Sequence, residues 1–145
     1  MDIGTTSKLP FDLPDSKVFL LAKAYQRGHG ELKRRLIPYG LTNMQLLVLE
    51  GLWYSEGATA TELGKLLILD KATLSGVLER MEDDGWIIKK RDPEDRRLFP
   101  LFPSKKANRL KERLTEARKA ADEELLEKLS TAERLLLSRM LRDLI

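Results

Sequence analysis

Residues 59–102 read TATELGKLLILDKATLSGVLERMEDDGWIIKKRDPEDRRLFPLF. Thr59 and Glu62 have capping-box spacing, in which a hydroxyl and a carboxylate each satisfy a free backbone N–H. A helix is therefore predicted over Ala60 to about Leu67. After a turn at Ile68 and Leu69, Asp70 is the N-cap of a second helix reaching Asp83 or Asp84. Leu74, Val77, Leu78 and Met81 fall on one face of that helix, and Gly85 stops it. Trp86–Arg91 and Leu98–Phe102 read as two strands. Asp92-Pro93-Glu94-Asp95-Arg96-Arg97 between them has turn composition.

Two short helices, a tight turn and a basic hairpin can bring a helix and a finger to the same duplex. The apolar stripe of the helix starting at Lys71 must face inward, so Lys71, Ala72, Thr73, Ser75, Gly76 and Glu79 face out. Short side chains allow close approach to base edges. Hydroxyls bond bases or phosphates, and a helix N-terminus favours phosphate. At the hairpin tip Arg97 can reach a narrow minor groove, whose deep negative potential attracts arginine. Asp95, two residues earlier, can hold that guanidinium by a bidentate bond, and Asp92 shapes the turn.

Charge supports a polyanionic partner. Over the 145 residues the net charge is only +3, but residues 86–106 hold seven Lys or Arg against three Asp or Glu. A clustered positive field is what nucleic acid requires.

Outward from this stretch the chain is helical. A first helix is expected from an N-cap at Asp15 to about Ile37, weakened in the middle by Gly28 and Gly30, and broken by Pro38-Tyr39-Gly40. Thr42 and Gln45 cap a second helix ending near Tyr54. A long helix is expected over Ser104 to about Lys128, and a last one, capped by Ser130 and Glu133, over Thr131 to about Leu144. The expected organisation is an arm over 1–14, a dimerisation helix in 15–40, a DNA-binding region over 41–102 and dimerisation helices in 103–145. The fold class is mainly α (α+β), a winged helix-turn-helix with a two-stranded wing. Leucine-rich helices at both ends exceed what a small reading head can bury, which points to a second copy.

The absence of cysteine excludes disulfides, thiolate metal sites and thiol redox sensing within these residues. With one histidine and no phosphate loop, no catalytic residue, metal site or cofactor is assigned and an enzyme is not expected. No apolar run approaches the ~20 residues needed to cross a bilayer, and no secretory h-region is seen at the start. A cytoplasmic location is the expectation. The rival reading is a winged helix serving as a protein–protein adaptor, against which the basic wing argues.

The chain resembles the MarR family of winged-helix transcription factors. The residues that carry the likeness are Leu41-Thr42-Asn43-Met44-Gln45, Thr61-Glu62-Leu63-Gly64, Asp70-Lys71-Ala72-Thr73-Leu74-Ser75, Leu78 through Trp86 and the tip from Asp92 to Arg97. The resemblance implies a homodimer on a pseudo-palindromic DNA operator, commonly a repressor. It implies base reading by Lys71, Thr73, Ser75 and Gly76, and a phosphate or bracing role for Arg80. It places Arg97 in the minor groove braced by Asp95; the basic cluster of residues 86–106 adds Arg96 and Lys89 as candidate DNA contacts. It also implies a small aromatic or anionic effector in a cleft bordered by Tyr25, His29, Tyr39, Met44 and Trp53. Three positions depart from the family pattern: Ile68 stands where glycine is common, Gly76 replaces a larger residue, and Phe102-Pro103-Ser104 replaces the usual approach to the long helix.

Overall fold

Residues 15–145 are described by a computed structural model; the expected arm over 1–14 lies outside the described residues. The elements are α1 (Lys17–Leu36), a 3-10 turn (Ile37–Tyr39), α2 (Asn43–Tyr54), α3 (Ala60–Leu67), α4 (Lys71–Asp83), β1 (Ile87–Lys89), β2 (Leu101–Pro103), α5 (Lys105–Leu125) and α6 (Thr131–Asp143). The order is that of a winged helix-turn-helix flanked by N- and C-terminal helices.

Local capping sets most helix starts. Thr42, Thr59 and Ser130 each form a full capping box, with Gln45, Glu62 and Glu133 respectively. Ser104 accepts the Ala107 amide at 3.1 Å and so starts α5. The N-cap of α1 is Ser16, not Asp15; Ser16 accepts the Phe19 amide, while Asp15 pairs with the Lys17 ammonium at 2.6 Å. Gly28 and Gly30 do not interrupt α1. A Cβ on Gly28 would stand 3.0 Å from a Leu125 methyl, so the glycine lets α1 and α5 approach closely. α5 stops at Leu125, short of Lys128, where the chain turns back and Leu129 donates to the Leu126 carbonyl.

α4 ends in a Schellman motif: Gly85 has φ 76°, its amide donates to Glu82, and the Trp86 amide reaches the Met81 carbonyl. α3 also ends on a left-handed residue, with the Ile68 and Leu69 amides both donating to the Gly64 carbonyl, but here that residue is Ile68 at φ 55°. A β-branched residue there costs ~1–2 kcal/mol, and Ile68, 71% exposed, recovers little by burial. Ile68→Gly is expected to stabilise the fold by ~0.5–1 kcal/mol once the extra chain entropy of glycine is subtracted. The check is a higher urea midpoint at unchanged slope; a lower midpoint would show that the isoleucine side chain contributes more than its backbone costs.

β1 and β2 pair antiparallel with Ile88 opposite Phe102 and Lys89 opposite Leu101. Both regular strands are shorter than the expected 86–91 and 98–102. Lys90 donates to the Pro100 carbonyl at 3.0 Å, but Pro100 has no N–H to return, so the regular ladder breaks there. One further bond, from the Asp92 amide to Leu98, keeps the hairpin arms together. On the other edge of β2, Gly57 donates to Leu101 and Leu101 donates to Ala58, which ties the wing to the connection between α2 and α3.

The core gathers Leu46, Leu49, Leu52, Leu63, Met81 and Trp86, with Leu114 of α5. Arg118 of α5 forks Glu50 of α2, its Nε 3.0 Å from Oε1, and links the long helix to the reading head. Burial pushes the nearby Asp122 carboxyl up, against the partial opposition of Arg118. α6 buries no residue within its own chain. Among the described residues no helix is long and apolar enough to cross a membrane.

Candidate nucleic-acid interface

Lys71, Ala72, Thr73, Ser75, Gly76 and Arg80 are all exposed on α4, while Leu74 and Met81 on its other side are buried. Nothing lies within 4 Å of where a Cβ on Gly76 would stand, so this part of the helix surface is open. Asp70 does more than cap the backbone. Its carboxylate accepts the Thr73 hydroxyl at 2.7 Å and the Thr73 amide at 2.8 Å, which together hold its carboxyl below the usual range. The Thr73 hydroxyl proton is thereby committed to the cap, which leaves its methyl group and oxygen lone pairs.

The wing tip is built by two aspartates. Asp92 Oδ1 accepts the amides of Glu94 and Asp95 at 2.8 and 3.0 Å, an Asx turn that folds the loop. Asp95 accepts Arg97 Nε and Nη2, both at 3.0 Å, and the Arg97 amide at 3.1 Å. Arg97 therefore stands outward with its side chain 88% exposed, in a fixed orientation. The guanidinium beside Asp95 holds that carboxyl below the ordinary carboxylate range. The contribution of the pair is present above the unfolded carboxylate pKa and fades as pH falls through the lower folded one, so the brace persists at neutral pH.

α3, α4 and the wing enclose an open groove of about 920 Å³, and Lys71, Ser75, Lys89 and Arg97 all line it. Ala72, Thr73, Gly76, Arg80, Asp95 and Arg96 lie outside its lining. The groove also takes in Lys65, Leu98 and Phe99, which the sequence reading did not single out, together with the acidic Glu62, Glu79, Glu82 and Asp83. The hairpin register, which places Leu98, Phe99 and Leu101 beside α4, was the missing signal. Lys106 belongs to the structure instead: its ammonium sits 4.0 Å over the Trp86 ring and donates to the Asp84 carbonyl.

None of the five residues expected at an effector cleft lines the groove between α3, α4 and the wing, or the smaller pocket bordered by Leu47, Glu50, Tyr54 and Leu66. Tyr25 and His29 are exposed on α1 with ring centroids 5.4 Å apart. The His29 carbonyl accepts the Asn43 side-chain amide, next to half-buried Met44. Tyr39 packs against the core, and Trp53 donates its Nε1–H to Asn108 on α5 at 2.8 Å. Among the described residues no acidic or histidine cluster could hold a metal ion.

A winged helix-turn-helix with its second helix and basic finger both open around one groove is a duplex-reading architecture. The MarR family model matches residues 41–99. The HTH-type transcriptional regulator TtmR of Methylorubrum extorquens is 37% identical over 94 residues, which is 65% of this chain and 47% of TtmR. The chain thus spans about half the length of that relative. The organic hydroperoxide resistance transcriptional regulator of Bacillus subtilis is 34% identical over 101 residues, 70% of this chain and 69% of its own. Among solved structures, Bordetella bronchiseptica BpsR, whose DNA binding is regulated by 6-hydroxynicotinic acid, superposes with a TM-score of 0.84 at 25% identity, covering 94% of this chain and 97% of BpsR. The chain belongs to the MarR family.

Proposed function

We propose that two copies of this chain form a sequence-specific DNA-binding transcriptional regulator that seats both α4 helices on a pseudo-palindromic operator and acts as a repressor. The observation that carries the reading is the shared groove of Lys71, Ser75, Lys89 and Arg97, with the guanidinium braced at its mouth. Two-fold symmetry sets half-sites about one helical turn apart. The test is selection of bound sites from random DNA, followed by titration across salt. Binding to an inverted repeat should weaken steeply with salt, with a log–log slope of about −0.9 per phosphate neutralised. Selection of no sequence, with salt-insensitive retention, would favour the adaptor reading.

The apolar sides of α1 and α6 support the dimer. Val18, Leu135, Leu136, Met140, Leu141 and Leu144 are exposed in the single chain, and covering them against a second copy stabilises by ~25 cal/mol per Å². Residues 15–40 and 103–145 form the dimer region in this reading. Leu136→Asp is expected to shift the protein to monomer, because an unpaired carboxylate would be buried at the contact. Sedimentation velocity checks it; an unchanged dimer would place the contact elsewhere.

The regulation of BpsR by 6-hydroxynicotinic acid supports a small aromatic or anionic effector here as well. The adjacent rings of Tyr25 and His29 are the starting point for locating it. A thiol-oxidation signal has no residue to act on within these 145 residues.

A further inference from the structure

The groove-facing side of the wing carries an arrangement of which only Lys89 has so far been assigned to DNA. The bonds from Lys90 to Pro100 and from Asp92 to Leu98 bracket a cross-strand pair, Arg91 opposite Phe99. Lys89 is two residues before Arg91 and so points to the same side. The Phe99 ring collects both cations: the Lys89 ammonium lies 4.9 Å and the Arg91 guanidinium carbon 5.8 Å from its centroid. Arg91 is also tied to the tip, its Nε donating to the Arg96 carbonyl at 3.4 Å. Phe99 is 39% exposed and lines the groove beside Arg97, so the ring is more than core filling. Two like charges on one strand face repel and would sample many rotamers. An aromatic face between them attracts both and narrows that freedom.

We propose that Phe99 is a positioning residue for DNA binding, and that Arg91, which it holds beside Lys89, is a further phosphate-contacting cation of the wing. This rests on the DNA-binding reading above. Lys90 is excluded from the pair because its ammonium lies 4.7 Å from Phe102, its neighbour on the opposite side of the hairpin.

The experiment is a fluorescence-anisotropy titration of the full chain on its selected site at several salt concentrations. The variants are Phe99→Leu, Phe99→Tyr, Arg91→Ala and the Phe99→Leu/Arg91→Ala double. Leucine keeps the apolar bulk but removes the aromatic face, and affinity should fall ~3–10-fold. Tyrosine restores the face and should return affinity to within about twofold. Arg91→Ala should lower the salt slope by about one, the signature of a lost phosphate contact. The double variant should lose less than the product of the single losses, because the two residues act as one unit. Wild-type affinity in Phe99→Leu, no rescue by tyrosine, an unchanged slope in Arg91→Ala, or full additivity would overturn the proposal. Arg91→Ala alters an exposed side chain, so its slope decides even if a Phe99 variant folds poorly. A wild-type chain that binds no DNA would instead overturn the reading on which the proposal stands.

Discussion

Trp86→Ala is expected to destabilise the protein by ~3–5 kcal/mol. Trp86 is 2% exposed and ends α4, begins the wing and meets α5. Its amide closes the α4 Schellman motif on Met81, its carbonyl accepts the Ser104 amide, and its ring lies under the Lys106 ammonium. Truncation leaves a void that three elements border, and close-packed surroundings relax only in part. Urea denaturation should show a large fall in midpoint, with Trp86→Phe recovering much of it. A loss below ~1 kcal/mol would mean that the joint between reading helix and wing tolerates collapse. Because this joint sets the angle of the wing to α4, DNA affinity should fall more than the folded fraction alone accounts for.

Arg97→Ala should weaken binding to the selected operator by ~1–3 kcal/mol and leave thermal stability and dimerisation unchanged. The two effects separate because the side chain is almost wholly exposed and its polar bonds among the described residues go to Asp95 of its own loop. A surface ion pair of this kind contributes little to folding. Its value lies in presenting a planar guanidinium already oriented, so less freedom is lost on contact. Arg97→Lys should fail to restore binding fully, since a point charge cannot use both Asp95 oxygens in the same fork. Equal affinities of the alanine variant and the wild-type chain in a gel-shift titration would remove the wing arginine from the interface.

Much of this architecture was legible from short-range chemistry. The boxes at Thr42, Thr59 and Ser130, the Asp70 cap and the Gly85 stop all involve groups within a few residues of each other, and they bound the helices closely. The same local logic erred at Asp15, where two adjacent residues could cap and the carboxylate found Lys17 instead. It also overextended the strands, because the consequence of Pro100 depends on which residue stands opposite. At Ile68 the sequence identified an expensive place for a left-handed residue, and the chain adopts that conformation nonetheless. The Leu69 amide bond to Gly64 and the short link to Asp70 leave the turn little alternative.

The candidate interface divides along the same line. The sequence by itself determined most of the helix starts, the Asx turn at Asp92 and the reach of Asp95 to Arg97, because each is settled over a span of two to five residues. Only the tertiary structure decided against which ring, and so on which side of the hairpin, each cation falls. Lys89 and Arg91 stand on Phe99 on one side of the hairpin, Lys90 turns to Phe102 on the other, and Lys106 is taken up by Trp86. Strand pairing has a period of two, so the side on which a charge falls follows from the register across the hairpin and from the packing of Trp86, neither of which composition or spacing specifies.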